Sequence, residues 1–132
     1  MQISLKNLLV VTAIVEIGTG LGLLLVPALL FAILLGIEQA APEALFVGRI
    51  AGAGLLAIGV ASWLAKNDVR TPAQLGLLVG VLTYDAAATL LLALAGTNWG
   101  MVGIGIWPAV ALHATLTVWW LVCLLQPGGG RE

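Results

Sequence analysis

Charge is what this chain has least of. Asp, Glu, Lys and Arg make up only 8% of its 132 residues, against about a quarter in a soluble domain, so an ordinary water-facing surface cannot be built from it. Five Lys and Arg against six Asp and Glu give a formal net charge of −1. That provides no basic stripe, and no nucleic-acid partner is expected. Cysteine occurs once, at Cys123 within an apolar run, which excludes an internal disulfide and leaves the redox compartment open. Its reading is that of a small buried or lipid-facing hydrophobe. Histidine also occurs once, at His113. A bis-histidine haem would need a second chain, and the H-x-x-x-H spacing of a metal-binding helix is missing, so neither a metal site nor a cofactor is expected. Ser4 and Ser62 lie near predicted span ends, away from His113, so no serine–histidine nucleophile pair is visible. Gly18-Thr19-Gly20-Leu21-Gly22 lacks the Lys-Ser/Thr that would make it a phosphate-cradling loop. Taken together, these absences argue against an enzyme.

What is present is hydrocarbon: 61% of the chain is hydrophobic, and the mean hydropathy is +1.15. A stretch of about 20 apolar residues crosses a bilayer core as a helix. Four such stretches are expected, at Leu8–Val26, Leu45–Ala65, Ala73–Ala95 and Val102–Leu125. The first run could be taken for a signal peptide, but Glu16 interrupts it and no A-x-A-like site follows, so it reads as a retained span. It continues past Pro27 through Ala28–Leu35, which is too long for one straight crossing. Proline removes a helical hydrogen bond, so a kink is expected there, followed by a short interfacial or tilted piece ending at Gly36.

The connections are short, which makes sequential neighbours antiparallel. The fold class expected is therefore all-α, an integral membrane four-helix antiparallel bundle in one domain over residues 1–126, with a flexible tail at 127–132. Cationic residues set the orientation. Lys6 precedes the first span, Lys66 and Arg70 follow the second, and Arg131 follows the fourth, while the other two connections hold no Lys or Arg. Both termini are thus expected to be cytoplasmic, in a multi-pass protein of a bacterial inner membrane. Trp99, Trp107, Trp119 and Trp120 fall near the ends of the fourth span, where aromatic belts form.

Lipid is as apolar as leucine, so helices in it are drawn together by small residues that allow close approach. Such residues recur at four-residue spacing: Gly18 and Gly22, Gly48 and Gly52, Gly76 and Gly80, with Gly59 extending the second face. They point to a tightly packed bundle, and in a sharper reading to a homodimer or another membrane-protein partner.

Against this background each span carries one costly polar group: Glu16, Arg49, Asp85 and His113. A charge at the bilayer centre costs about 2.5–3.5 kcal/mol on insertion scales, so each calls for a partner or a task. At about 1.5 Å per residue, Glu16 lies roughly 15 Å and Asp85 roughly 19 Å from the cytoplasmic side. His113 lies near the middle of its span, with Arg49 a turn or two nearer the other surface. Each midplane group has a threonine one turn away on the same face, in the pairs Thr12–Glu16, Asp85–Thr89 and His113–Thr117. Thr19 extends the first column, and Tyr84 neighbours Asp85. Arg49 is expected to neutralise one carboxylate. The other would then be a candidate to hold a proton near neutral pH, with His113 as its relay partner.

Three resemblances accompany these residues. Glu16-Ile17-Gly18-Thr19 is similar to the first helix of small multidrug resistance exporters, which implies a proton-coupled glutamate. Arg49 with Gly52, Pro72, Thr83-Tyr84, Gly96-Thr97, Pro108 and the tryptophan-rich last span resemble, over residues 49–120, the ergosterol-biosynthesis scaffold proteins. That likeness implies a non-catalytic organiser of membrane enzymes. The histidine and glutamate of that family's third span are not reproduced; Asp85 and Ala86 stand there instead. The whole chain resembles small four-span bacterial proteins of the DoxX-like kind. Two functions follow: a membrane protein whose polar midplane pocket binds or moves a small hydrophobic molecule or an ion, possible proton coupling included, or a scaffold or accessory subunit of a membrane enzyme.

Overall fold

The computed structural model describes residues 4–68 and 71–125; Arg70 and the tail at 127–132, both used above, lie outside the described residues. The described chain is all-helical: α1 (Leu5–Leu25), α2 (Pro27–Leu35), α3 (Pro42–Ala65), α4 (Pro72–Asn98) and α5 (Ile106–Leu125). Four of these, all but α2, are long and apolar enough to cross a membrane, with mean hydropathies between 1.8 and 2.2 over their most apolar stretches. Their outer faces carry bare aliphatic side chains. Leu25 is 73% exposed, Leu64 71% and Leu90 60%, which suits lipid and would be untenable as a water-facing surface of this extent.

Proline places three of the helix starts. Pro27, Pro42 and Pro72 each stand at a first helical position, where the missing N–H costs nothing and the fixed φ is already helical. The expected kink at Pro27 is a full break. Val26 leaves helical geometry at φ −134°, and α2 begins afresh. It ends at Gly36, whose φ of +72° is left-handed and whose N–H donates to the Ala32 carbonyl, a glycine cap. The fourth span starts at Ile106 rather than Val102. The apolar residues before it are held instead by α2: the Gly105 N–H donates to the Ile33 carbonyl at 2.8 Å, and Gly103 lies directly on the Leu34 backbone. Gln74 ties the turn between α3 and α4, its Nε2 donating to the carbonyls of Ala65 and Asp68 while its N–H meets Thr71 Oγ1.

The helices associate chiefly as two pairs, α1 with α3 and α4 with α5. In the first pair the backbones touch. A Cβ on Gly20 would lie 2.7 Å from the Leu56 nitrogen, and one on Gly52 would lie 2.7 Å from the Gly20 oxygen. Further along α3, Gly59 meets Ala13 and Ile17 of α1, so residue numbers rise on one helix as they fall on the other. The close-approach residue on α1 is therefore Gly20, between the expected Gly18 and Gly22. Gly18 faces open space, and Gly22 meets Leu30 of α2 instead. Gly76 and Gly80 also face open space, with no described residue packed against them. Leu8 and Leu9 of α1, Leu78 and Val81 of α4, and Leu116 and Trp120 of α5 join the pairs in a compact core. Trp120 is fully buried there, a correction to its expected place in an aromatic belt; Trp99 and Trp107 are more than half exposed. A different tryptophan, Trp63, has the Lys66 ammonium 3.6 Å above its ring at the end of α3.

This geometry predicts a contrast between glycines. Gly52→Ala should force α1 and α3 apart, since its neighbours are backbone atoms that cannot turn aside, and should cost about 1–3 kcal/mol. Gly76→Ala should cost nothing and gain helix propensity. Thermal unfolding in detergent checks this, and equal effects at the two positions would refute the α1–α3 register.

Candidate functional site

Glu16, Asp85 and His113 come together from α1, α4 and α5. One donor atom from each lies within 4.8 Å of the other two. Glu16 is 1% exposed and Asp85 fully buried. His113 Nδ1 stands 2.8 Å from Asp85 Oδ1. With Asp85 ionised, the Nδ1–H donates to it, which orients the ring and leaves Nε2 for another partner. The Tyr84 ring packs edge-on against the imidazole, with centroids 5.7 Å apart. Three buried oxygens of the group have no hydrogen-bond partner: Glu16 Oε1, Asp85 Oδ2 and Thr12 Oγ1.

Arg49 does not join them. It is exposed on α3 and pairs with no described residue, a correction to its expected place beside a carboxylate. The reason is rotational. Gly48 and Gly52 are buried, facing α2 and α1, so the residue after Gly48 turns about 100° away from that interface. The threonine columns also resolve differently. The Thr89 hydroxyl donates to the Asp85 carbonyl at 2.8 Å and the Thr117 hydroxyl to the His113 carbonyl at 2.7 Å. Both are satisfied by their own helices and contribute nothing to the cluster. Thr12 keeps its buried place, and Thr19 opens onto a cavity.

That cavity has a volume of about 570 Å³ and reaches all five helices. Its wall is aliphatic apart from Thr19, Tyr84 and His113. The polar cluster stands at its inner end. Beyond the cluster, toward the start of α1, packing is denser: Leu8, Leu9, Leu78, Leu116 and Trp120 are each at most 1% exposed, and the cavity there, beside Thr71, Pro72, Leu75 and Leu78, is smaller, at about 290 Å³. The protein therefore has a packed half and a hollow half, with the polar group between them. The sequence carried no sign of this asymmetry beyond the small residues Ala87, Ala88 and Ala109 that line the hollow half.

Chemically, the arrangement offers an oriented imidazole facing an apolar space, backed by two carboxyl groups and, among the described residues, no cationic side chain. The absence of H-x-x-x-H spacing tests only for ligands carried on one helix. Here each of the three potential metal ligands comes from a different one. Comparison with protein-family models, with curated proteins and with solved structures finds no match.

The buried pair predicts asymmetric costs. Asp85→Leu should destabilise the protein by about 3–5 kcal/mol, because it strands His113. The double change Asp85→Leu with His113→Leu should recover most of that loss, as removing both partners leaves no orphan. A double-mutant cycle of unfolding free energies measures the coupling, and additive losses would mean that the two side chains do not interact.

Proposed function

We propose that this chain is a multi-pass protein of a bacterial inner membrane, an antiparallel four-span bundle with both termini cytoplasmic, that binds a small and mainly apolar molecule in the cavity beside His113. The orientation is supported by Lys6 and Lys66, which lie at the same end of the antiparallel α1–α3 pair. The observation that carries the functional reading is the cavity itself. At about 570 Å³ it falls within the roughly 300–1,000 Å³ of small-molecule sites, which are typically apolar with a few convergent polar groups. His113, held by Asp85, supplies the directional contact, and the aliphatic wall supplies the burial. The packed half beneath the cluster favours a pocket entered from one side over an open conduit.

A second reading, an accessory subunit that docks on another membrane protein or on its own copy, is favoured by one feature. Gly76 and Gly80 present a close-approach face on α4 that no described residue covers.

Native mass spectrometry of the purified protein separates these. The pocket reading expects a retained small molecule, or uptake of an added long-chain alcohol, that is abolished by Ala88→Phe in the wall and unaffected by Ala53→Phe on the exposed face of α3. His113→Leu should weaken the alcohol by about 1 kcal/mol, roughly fivefold, for one lost hydrogen bond, and should not weaken an alkane of equal length. A chain that takes up neither probe, but forms a fixed assembly broken by Gly80→Leu, would overturn the pocket reading in favour of the second.

A further inference from the structure

We infer that Glu16, Asp85 and His113 form a binding site for a divalent first-row transition-metal ion. The inference rests on the cluster and does not depend on what the cavity holds. The starting point is a pair of buried carboxyl groups with no cationic side chain beside them among the described residues. Two carboxyl groups, 1% and 0% exposed, lie together in a chain segment surrounded by hydrocarbon. Around them, α4 adds Tyr84, α5 adds only His113, and α3 adds no titratable group, since Arg49 is exposed. Lys6 is exposed at the start of α1, and Lys66 is engaged by the Trp63 ring and carbonyl. A purely structural cluster would be expected to spend its hydrogen-bonding capacity on itself. This one leaves Glu16 Oε1 and Asp85 Oδ2 buried without partners, where each unsatisfied polar atom costs about 1–3 kcal/mol, and more if charged.

The geometry suits a metal. Adjacent ligands at about 2.0–2.2 Å from an ion are separated by about 3 Å when they subtend a right angle. The His113 Nδ1 to Asp85 Oδ1 distance, 2.8 Å, is close to such an edge, so an ion can replace the proton between them without parting α4 from α5. The third ligand atom lies within 4.8 Å, so a side-chain torsion of Glu16 brings it into range. One imidazole with two carboxylates suits manganese, iron, cobalt or zinc better than calcium or magnesium, which favour oxygen alone. A dication matches both carboxylates in charge. Three protein ligands leave coordination positions open, as in metal sites that act on a further molecule, and His113 borders the cavity from which such a molecule would come. The ion would also bridge the two helix pairs, since Glu16 belongs to one and Asp85 and His113 to the other.

The test is cobalt titration of the chelator-treated protein in detergent. One Co²⁺ per chain is expected, with visible d–d absorption, displacement by Zn²⁺, and a rise in thermal unfolding temperature from bridging the pairs. Glu16→Gln, Asp85→Asn and His113→Gln should each weaken cobalt binding by about tenfold or more. Ala53→Phe, on the exposed face of α3, should keep the absorption. Folded wild-type protein that holds fewer than about one ion per ten chains overturns the inference, as does a cobalt spectrum unchanged in the Glu16→Gln, His113→Gln double variant. If a single variant fails to fold, the wild-type stoichiometry and temperature shift still decide. Protein that binds the alcohol but no cobalt refutes the metal site and leaves the pocket standing; protein that binds cobalt but no alcohol supports the metal site and removes the pocket.

Discussion

In hydrocarbon a buried carboxyl group has only the protein to turn to, because lipid supplies no hydrogen bonds. Glu16 lies on the helix that packs against α3 on one side and meets α5 on another. Asp85 and His113 lie on the opposite pair, already joined to each other at 2.8 Å. The seam between the pairs is where Glu16 meets the other buried titratable side chains among the described residues, and turning α1 there fixes the rest. It directs Gly20 to the α3 backbone and Leu8 and Leu9 to Trp120. It also leaves Val15, Thr19 and Leu23 along the cavity wall. A different rotation of α1 would expose Glu16 to acyl chains and remove the glycine from the interface at the same time. Packing and polarity therefore select the same arrangement, which is the agreement between levels expected of a sequence that specifies one structure.

Much of this was legible from residue order. Runs of apolar residues located the spans, Pro27 located the break, and a count of depth placed Glu16, Asp85 and His113 at one level. The failures share a cause: the sequence gives axial position well and rotation poorly. Arg49 was placed at the wrong azimuth, although the adjoining Gly48 held the clue, since small residues mark the face turned toward another helix. The pair Gly18 and Gly22 matched the expected spacing, yet Gly20, two residues from each and so on another side of α1, makes the contact. Trp120 likewise differs from Trp119 only by one step of rotation, which takes it into the core. Val102–Gly105 is apolar enough to read as span, but Gly100 with a φ of +67° and the contact of Gly103 with Leu34 hold it as loop. Ligands gathered from three helices leave no local spacing for a motif to capture.

The contrast between the two halves follows from side-chain size on facing helices. Toward the start of α1, Leu8, Leu9, Leu78, Leu116 and Trp120 pack into one buried cluster, and the cavity beside Leu78 is about half the size of the one next to His113. Toward its end, α4 presents Ala87 and Ala88 and α5 presents Pro108 and Ala109, and these small side chains border an open cavity between the helices. Atoms lining a void have no neighbours on one side, and the dispersion attraction they forgo destabilises the fold. Under the proposed function the space is kept for a ligand; either Ala88 or Ala109 could be enlarged to fill it without touching the backbone contact of α1 and α3.

The break at Pro27 belongs to the same logic. A continuous first helix would carry Leu30 and Leu34 out along its axis, away from the bundle. Restarting the helix at Pro27 lays Leu30 against Gly22 and turns Leu34 to the cavity wall. The loop before α5 then locks this piece in place through the Gly105 to Ile33 hydrogen bond. That bond satisfies one polar group of an irregular stretch that α2 touches at Gly103 and Gly105, while the side chains of Val102 and Ile104 remain 79% and 88% exposed. The rim of the hollow half is thus held by a short helix and a glycine-rich loop, whereas its floor is held by long interlocked helices. Any opening that admits a molecule to His113 should accordingly involve α2 and the loop that follows α4, with the helix pairs and the polar seam remaining in place.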